Sequence, residues 1–110
     1  MFYYIMYENT MINLTTAKKL DKIFNVSPYV SIVRDYTIEK LLQKLPVCVT
    51  TEHSKRDCYL EISRGRSGWY SVAYIDCYGS YFFKEVIHKN LAEALALLLI
   101  KLHKEGLLSK

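Results

Sequence analysis

Asn90-Leu-Ala-Glu-Ala-Leu-Ala-Leu-Leu-Leu-Ile-Lys-Leu-His-Lys-Glu-Gly106 is the stretch whose reading decides the fold. Asn90 is an N-cap residue whose side-chain oxygen can accept a free backbone N–H of a first helical turn, and Glu93, three residues on, matches the capping-box partner. At the other end Gly106 offers the left-handed residue that closes a helix, while Lys101, His103 and Lys104 place cations or potential cations at the negative end of the dipole. Between the caps Leu91, Leu95, Leu98 and Leu102 form one stripe, and Ala92, Ala94, Ala96, Leu99 and Ile100 make the other faces nearly as apolar. A helix apolar over most of its circumference must lie across a sheet or between other elements.

The sheet it needs precedes it. Val47 to Glu52 alternates, Cys58, Leu60 and Ile62 point one way from a second strand, and the run from Trp69 to Cys77 sets Trp69, Ala73 and Ile75 on one face. Tyr81 to Ile87 makes a fourth strand. Turn residues at Ser54 to Asp57, Gly65 to Gly68 and Cys77 to Ser80 join them as hairpins. The expected architecture is α+β: two short N-terminal helices, a four-stranded antiparallel meander and a long C-terminal helix packed on one face. The opposite face would then carry Tyr59, Tyr70, Val72, Tyr74 and Phe82 or Tyr81.

Further upstream, Thr37 or Asp35 caps a helix whose buried stripe is Ile38, Leu41, Leu42 and Leu45, ended by Pro46, with Glu39, Lys40, Gln43 and Lys44 in water. Tyr29 to Val33 suits a brief strand. Thr15 or Thr16 caps a first helix with Ala17, Leu20, Ile23 and Phe24 at helical spacing, ending near Asn25. Residues 1–10 read as a detachable extension or edge strand, leaving residues 11–110 as a single domain.

Composition bounds the function. The chain has 110 residues, with 51% apolar and 24% charged residues, which is globular and suits one core. A net charge of +4 permits an acidic partner. No apolar run reaches the ~18 residues of a membrane span, and Met1 to Tyr7 lacks a basic leader and cleavage site, so no membrane role is expected. Cys48, Cys58 and Cys77 are an odd number without close spacing, as in reduced cytosolic thiols. With His53, His88 and His103 they form no recognisable zinc pattern, no glycine-rich phosphate loop is present, and Asp57, Glu61, Asp76 and Glu85 alternate with apolar neighbours as water-facing strand residues do. No catalytic group, metal, cofactor or small-molecule substrate is indicated, and an enzyme is not expected.

Met11-Ile-Asn-Leu-Thr-Thr-Ala-Lys-Lys-Leu, Thr37-Ile-Glu-Lys-Leu-Leu-Gln-Lys-Leu-Pro and the C-terminal helix resemble small uncharacterised proteins encoded by bacteriophages and prophages. The resemblance spans residues 11–110 and implies a phage accessory protein in the host bacterial cytoplasm, acting by binding.

Two binding surfaces follow from the residues. Tyr59, Tyr70, Tyr74 and Tyr81 supply the amphipathic area that interfaces favour, toward a host protein, a second copy in a homodimer, or a bacterial defence factor inhibited in the manner of an anti-CRISPR protein. Alternatively Lys55, Arg56, Arg64, Arg66 and Lys89 contact nucleic-acid phosphates beside Trp69, Tyr70 or Tyr78, a pairing suited to single strands. In outline the chain is also similar to the double-stranded-RNA-binding domain, whose last helix grips phosphates at its start; that resemblance implies a role for His88, Lys89 and Lys84.

Overall fold

The computed structural model describes residues 12–24, 36–50, 57–76 and 82–108, the side chains of 82 and 83 excepted. Residues 1–10, the brief strand at 29–33 and the turns at 54–57 and 77–80 fall wholly or largely outside these ranges. The elements in order are α1 (Leu14–Ile23), α2 (Ile38–Lys44), β1 (Cys48–Thr50), β2 (Asp57–Arg64), β3 (Tyr70–Asp76), β4 (Phe82–His88) and α3 (Leu91–Lys104). The strands form one sheet in the order β1-β2-β3-β4, each neighbour antiparallel.

α3 is the centre of the molecule. One side lies on β3 and β4, and α1 and α2 pack against it elsewhere, so nine of the residues from Leu91 to Lys104 are buried. This is why Leu95, Leu98, Leu99 and Leu102 can all be sealed although they occupy different sides of one helix. Each such leucine contributes about 1.5–3 kcal/mol on burial. Its C-terminus closes as the sequence predicts: Gly106 at φ +71° donates to His103 O at 3.0 Å, and Leu107 donates back to Leu102 O at 3.0 Å.

The N-termini differ from expectation in instructive ways. Asn90 caps α3, its Oδ1 accepting from Glu93 N at 3.2 Å, but Glu93 does not return the bond. Its carboxylate, buried beneath α1, accepts instead from Asn13 N at 2.7 Å and from the Thr16 hydroxyl at 2.5 Å. The Asn90 N–H that a capping box would satisfy donates to His88 Nδ1 at 2.9 Å. Glu93 thus ties α1 to α3. Asn13, not Thr15 or Thr16, caps α1, accepting from Thr15 N at 2.8 Å, which moves the helix start upstream and leaves Thr16 inside. Thr37 caps α2 as expected, whereas Leu42 is exposed and not part of the buried stripe.

The largest correction is in β3. On the face toward the helices it sets Val72 and Tyr74, both fully buried, and on the opposite face Ser71, Ala73 and Ile75, of which Ala73 is itself buried at 2% exposure. The cause is the hairpin. Four loop residues, Gly65 to Gly68, would pair Arg64 with Trp69; instead Gly65 N–H donates to Trp69 O at 2.9 Å and Arg64 pairs with Tyr70. One residue of register exchanges every side chain between the faces. With Leu60 opposite Tyr74 and Ile62 opposite Val72, β3 shows the helices the side on which β2 shows them Cys58. Asp76, expected in water, follows the same parity and is buried.

The β4 edge is irregular. Between Val72↔Val86 and Tyr74↔Phe83 the register shifts, with Lys84 at φ +59°, a backbone region uncommon for a residue with a side chain. Lys84 Nζ lies 2.6 Å from Glu105 Oε1, and Lys101 Nζ donates to Glu85 O at 3.4 Å. A bulge and lysines are standard means of blunting a sheet edge.

Candidate functional site

The tyrosines do not make one surface. Tyr74 is sealed in the core, where its hydroxyl donates to Pro46 O at 2.7 Å. Burial pushes that hydroxyl above the ordinary tyrosine range, and the charge of Cys48 adds to the shift. Tyr74 is therefore no contact for a partner, contrary to the sequence reading. Tyr59 stands 47% exposed on the outer face, opposite Cys48 and Ile75. Tyr70 is half-buried on the other face, and Tyr81 lies outside the described residues.

The outer face is mixed rather than apolar. Ile87 is exposed there, but Glu61, Ser63, Ser71 and Glu85 share it, with the Ser71 hydroxyl donating to Glu85 Oε2 at 3.0 Å. Toward the β1 edge the Thr50 hydroxyl donates to Asp57 Oδ1 at 2.7 Å. Polar residues thus lie between the patches of Tyr59 and Ile87, around a buried Ala73.

What the fold does bring together is a basic, aromatic end. On the inward side of β2 burial falls steadily, from Cys58 at 0% through half-buried Leu60 to Ile62 at 40% and exposed Arg64, so the β2–β3 hairpin outruns the helical layer. Its turn is closed by Gly68 N–H donating to Gly65 O at 3.0 Å, with Gly68 at φ +85°. That left-handed residue is what lets a short loop join the strands. Arg66 is at the tip.

Register then sets the neighbours. Arg64, Tyr70 and His88 form one cross-strand row, in which the Arg64 guanidinium lies 5.2 Å from the Tyr70 ring centroid and its Nε donates to Gly68 O at 3.5 Å. On the neighbouring residues Lys89 Nζ lies 5.2 Å from the Trp69 ring centroid. These cation–π contacts hold each charge over a ring. Residues 63–71 and 86–90, which build this end, contain no Asp or Glu, and the carboxylate at their border, Glu85, accepts from the Ser71 hydroxyl. The only carboxylate in the first turn of α3, Glu93, is turned to Asn13 and Thr16.

Of the basic residues singled out from sequence, Arg64, Arg66 and Lys89 lie at this end, Arg64 and Lys89 on its opposite faces and Arg66 in the turn. Lys55 and Arg56 lie outside the described residues. His88 serves α3 by accepting the Asn90 N–H, and Lys84 is on the bulge with Glu105. The convergence was hidden in the sequence because Lys89 and Trp69 are twenty positions apart and meet only through the β3–β4 register.

Among the described residues no three of His, Cys, Asp and Glu come together as a metal site would need. Cys48 is exposed and Cys58 is buried on the opposite face of the neighbouring strand. No described helix is long and apolar enough to cross a membrane. Compared with known proteins, the chain matches no family, no curated protein and no solved structure.

Proposed function

We propose that this is a small phage-type accessory protein that works by binding, with no chemistry of its own, and that its ligand is nucleic acid held at the hairpin end. The observation that carries this reading is that Arg64 with Tyr70 and Lys89 with Trp69 stand at one end of the sheet, on its two faces, with Arg66 in the turn between β2 and β3 and no Asp or Glu at positions 63–71 or 86–90. Phosphates supply the attraction, and affinity should fall steeply with salt. Three neutralised phosphates give a slope of log K on log salt of about −2 to −3. The test is titration of labelled oligonucleotides at several salt concentrations, with Arg64, Arg66 and Lys89 replaced together by Ala. Binding that survives the triple replacement sinks the proposal. A nucleic-acid ligand fits a site of action in the host bacterial cytoplasm.

A second reading keeps a protein partner, and the exposure of Tyr59 at 47% and Ile87 at 56% on the outer sheet face favours it. The partner is then a host factor, a defence enzyme that the chain inhibits, or a second copy. Sedimentation over a range of concentrations tests the second copy: a dimer that Tyr59→Ala with Ile87→Ala dissolves supports it, and a monomer throughout removes it.

A further inference from the structure

We infer that the nucleic acid is taken as an unpaired strand whose bases stack on Trp69 and Tyr70; this rests on the nucleic-acid reading above and decides between the single-strand and duplex ligands that the sequence leaves open. The two rings lie outside the buried core cluster, Tyr70 half-buried and Trp69 exposed. Neither belongs to the hydrophobic core nor packs against it, and Trp69 is 38% exposed. Each instead forms a unit with one cation, Tyr70 with Arg64 and Trp69 with Lys89. A ring beside a fixed cation matches one nucleotide: the ring takes the face of a base and the cation takes its phosphate.

A duplex cannot use such a unit. Its base faces are stacked on each other, and it offers a protein only phosphates, sugars and groove edges. An unpaired strand exposes the faces, and recognition of single strands relies on aromatic platforms in a basic setting. Tyr70 opens β3, and Trp69 just before it still pairs with Gly65 through its carbonyl, so the two rings leave on opposite faces of the ribbon. A bound strand must therefore turn around the hairpin end, from one ring to the other, past Arg66 at the tip. The site holds two stacked bases, and it requires a backbone flexible enough to bend there.

The chain contains one tryptophan, so its fluorescence reports on Trp69 alone. The experiment titrates the intact protein at low salt with a twelve-nucleotide single strand and with a self-complementary duplex of the same length, following fluorescence and anisotropy. The single strand should bind at least about tenfold more tightly and quench the emission, and Tyr70→Ala should weaken it about fivefold or more at unchanged salt slope. Trp69→Ala should do the same, with Trp69→Phe retaining most of the affinity as the check on folding, while Lys89→Gln should lower the slope by roughly 0.7. A duplex bound as tightly as the single strand, or binding without quenching and unmoved by either ring replacement, overturns the inference and leaves the nucleic-acid reading standing. No binding of either oligonucleotide overturns both.

Discussion

Tyr74 and Tyr70 lie on the same strand and the same face, four residues apart, yet they have opposite lives. Tyr74 is 0% exposed and hydrogen-bonded to Pro46 O, whereas Tyr70 stands outside the core with an arginine over its ring. Residue type and strand parity are identical, so neither explains the difference. It follows from how far the cover reaches: on β2 it ends before Ile62, and on β3 it passes fully buried Val72 and thins at half-buried Tyr70. The molecule therefore has a sealed end, where substitutions act on stability, and a projecting end, where they act on what the protein touches.

That contrast can be broken in several ways, beginning with the largest effect. Leu95→Ala under α3 should cost about 2–5 kcal/mol in denaturant unfolding, and a loss under 1 kcal/mol would mean that α3 is not the core element. Glu93→Ala leaves the Asn13 amide and Thr16 hydroxyl without their buried acceptor and should cost about 2–3 kcal/mol. Hydrogen exchange should then open α1 before the sheet, and uniform opening would contradict Glu93 as the tie between α1 and α3.

Tyr74→Phe should cost roughly 1 kcal/mol through the lost bond to Pro46 O. It also carries a pH signature. The folded state raises the hydroxyl pKa, so the stability this group contributes is full below its unfolded pKa of about 10 and is lost as pH rises beyond that value. Above about pH 10 the wild type should lose stability faster than Tyr74→Phe, and parallel pH profiles would show that the hydroxyl is not buried. At the projecting end, Gly68→Ala forces a side chain into φ +85°, for a smaller loss of around 1 kcal/mol or less. Its oligonucleotide affinity should fall more than its stability does, because the turn places Arg64 and Arg66.

These sites were unequally legible. Caps and apolar periodicity in α3 are signals within a few residues of one another, and Asn90, Gly106 and the leucines between them behave as read. The meander was legible for the same reason, from alternation and turn residues. Its faces were not, because the Gly65–Gly68 turn closes one residue differently from a simple count and carries Tyr74 indoors. The same parity takes Val72 and Tyr74 from the outer face, so the broad tyrosine surface expected there reduces to Tyr59 beside Ile75.

The amino-acid sequence by itself determined that a capped, all-round apolar helix must be enclosed, and that a sheet of hairpins precedes it. Those outcomes depend on hydrogen bonds and apolar spacing local to each segment. Only the tertiary structure decided which face of β3 the helices cover, that Glu93 serves α1 instead of its own helix, and that Lys89 stands over Trp69 while Arg64 stands over Tyr70. Each of these depends on strand register or on contacts between distant segments. A single residue of slip reverses such contacts, and composition and periodicity leave that slip undetermined.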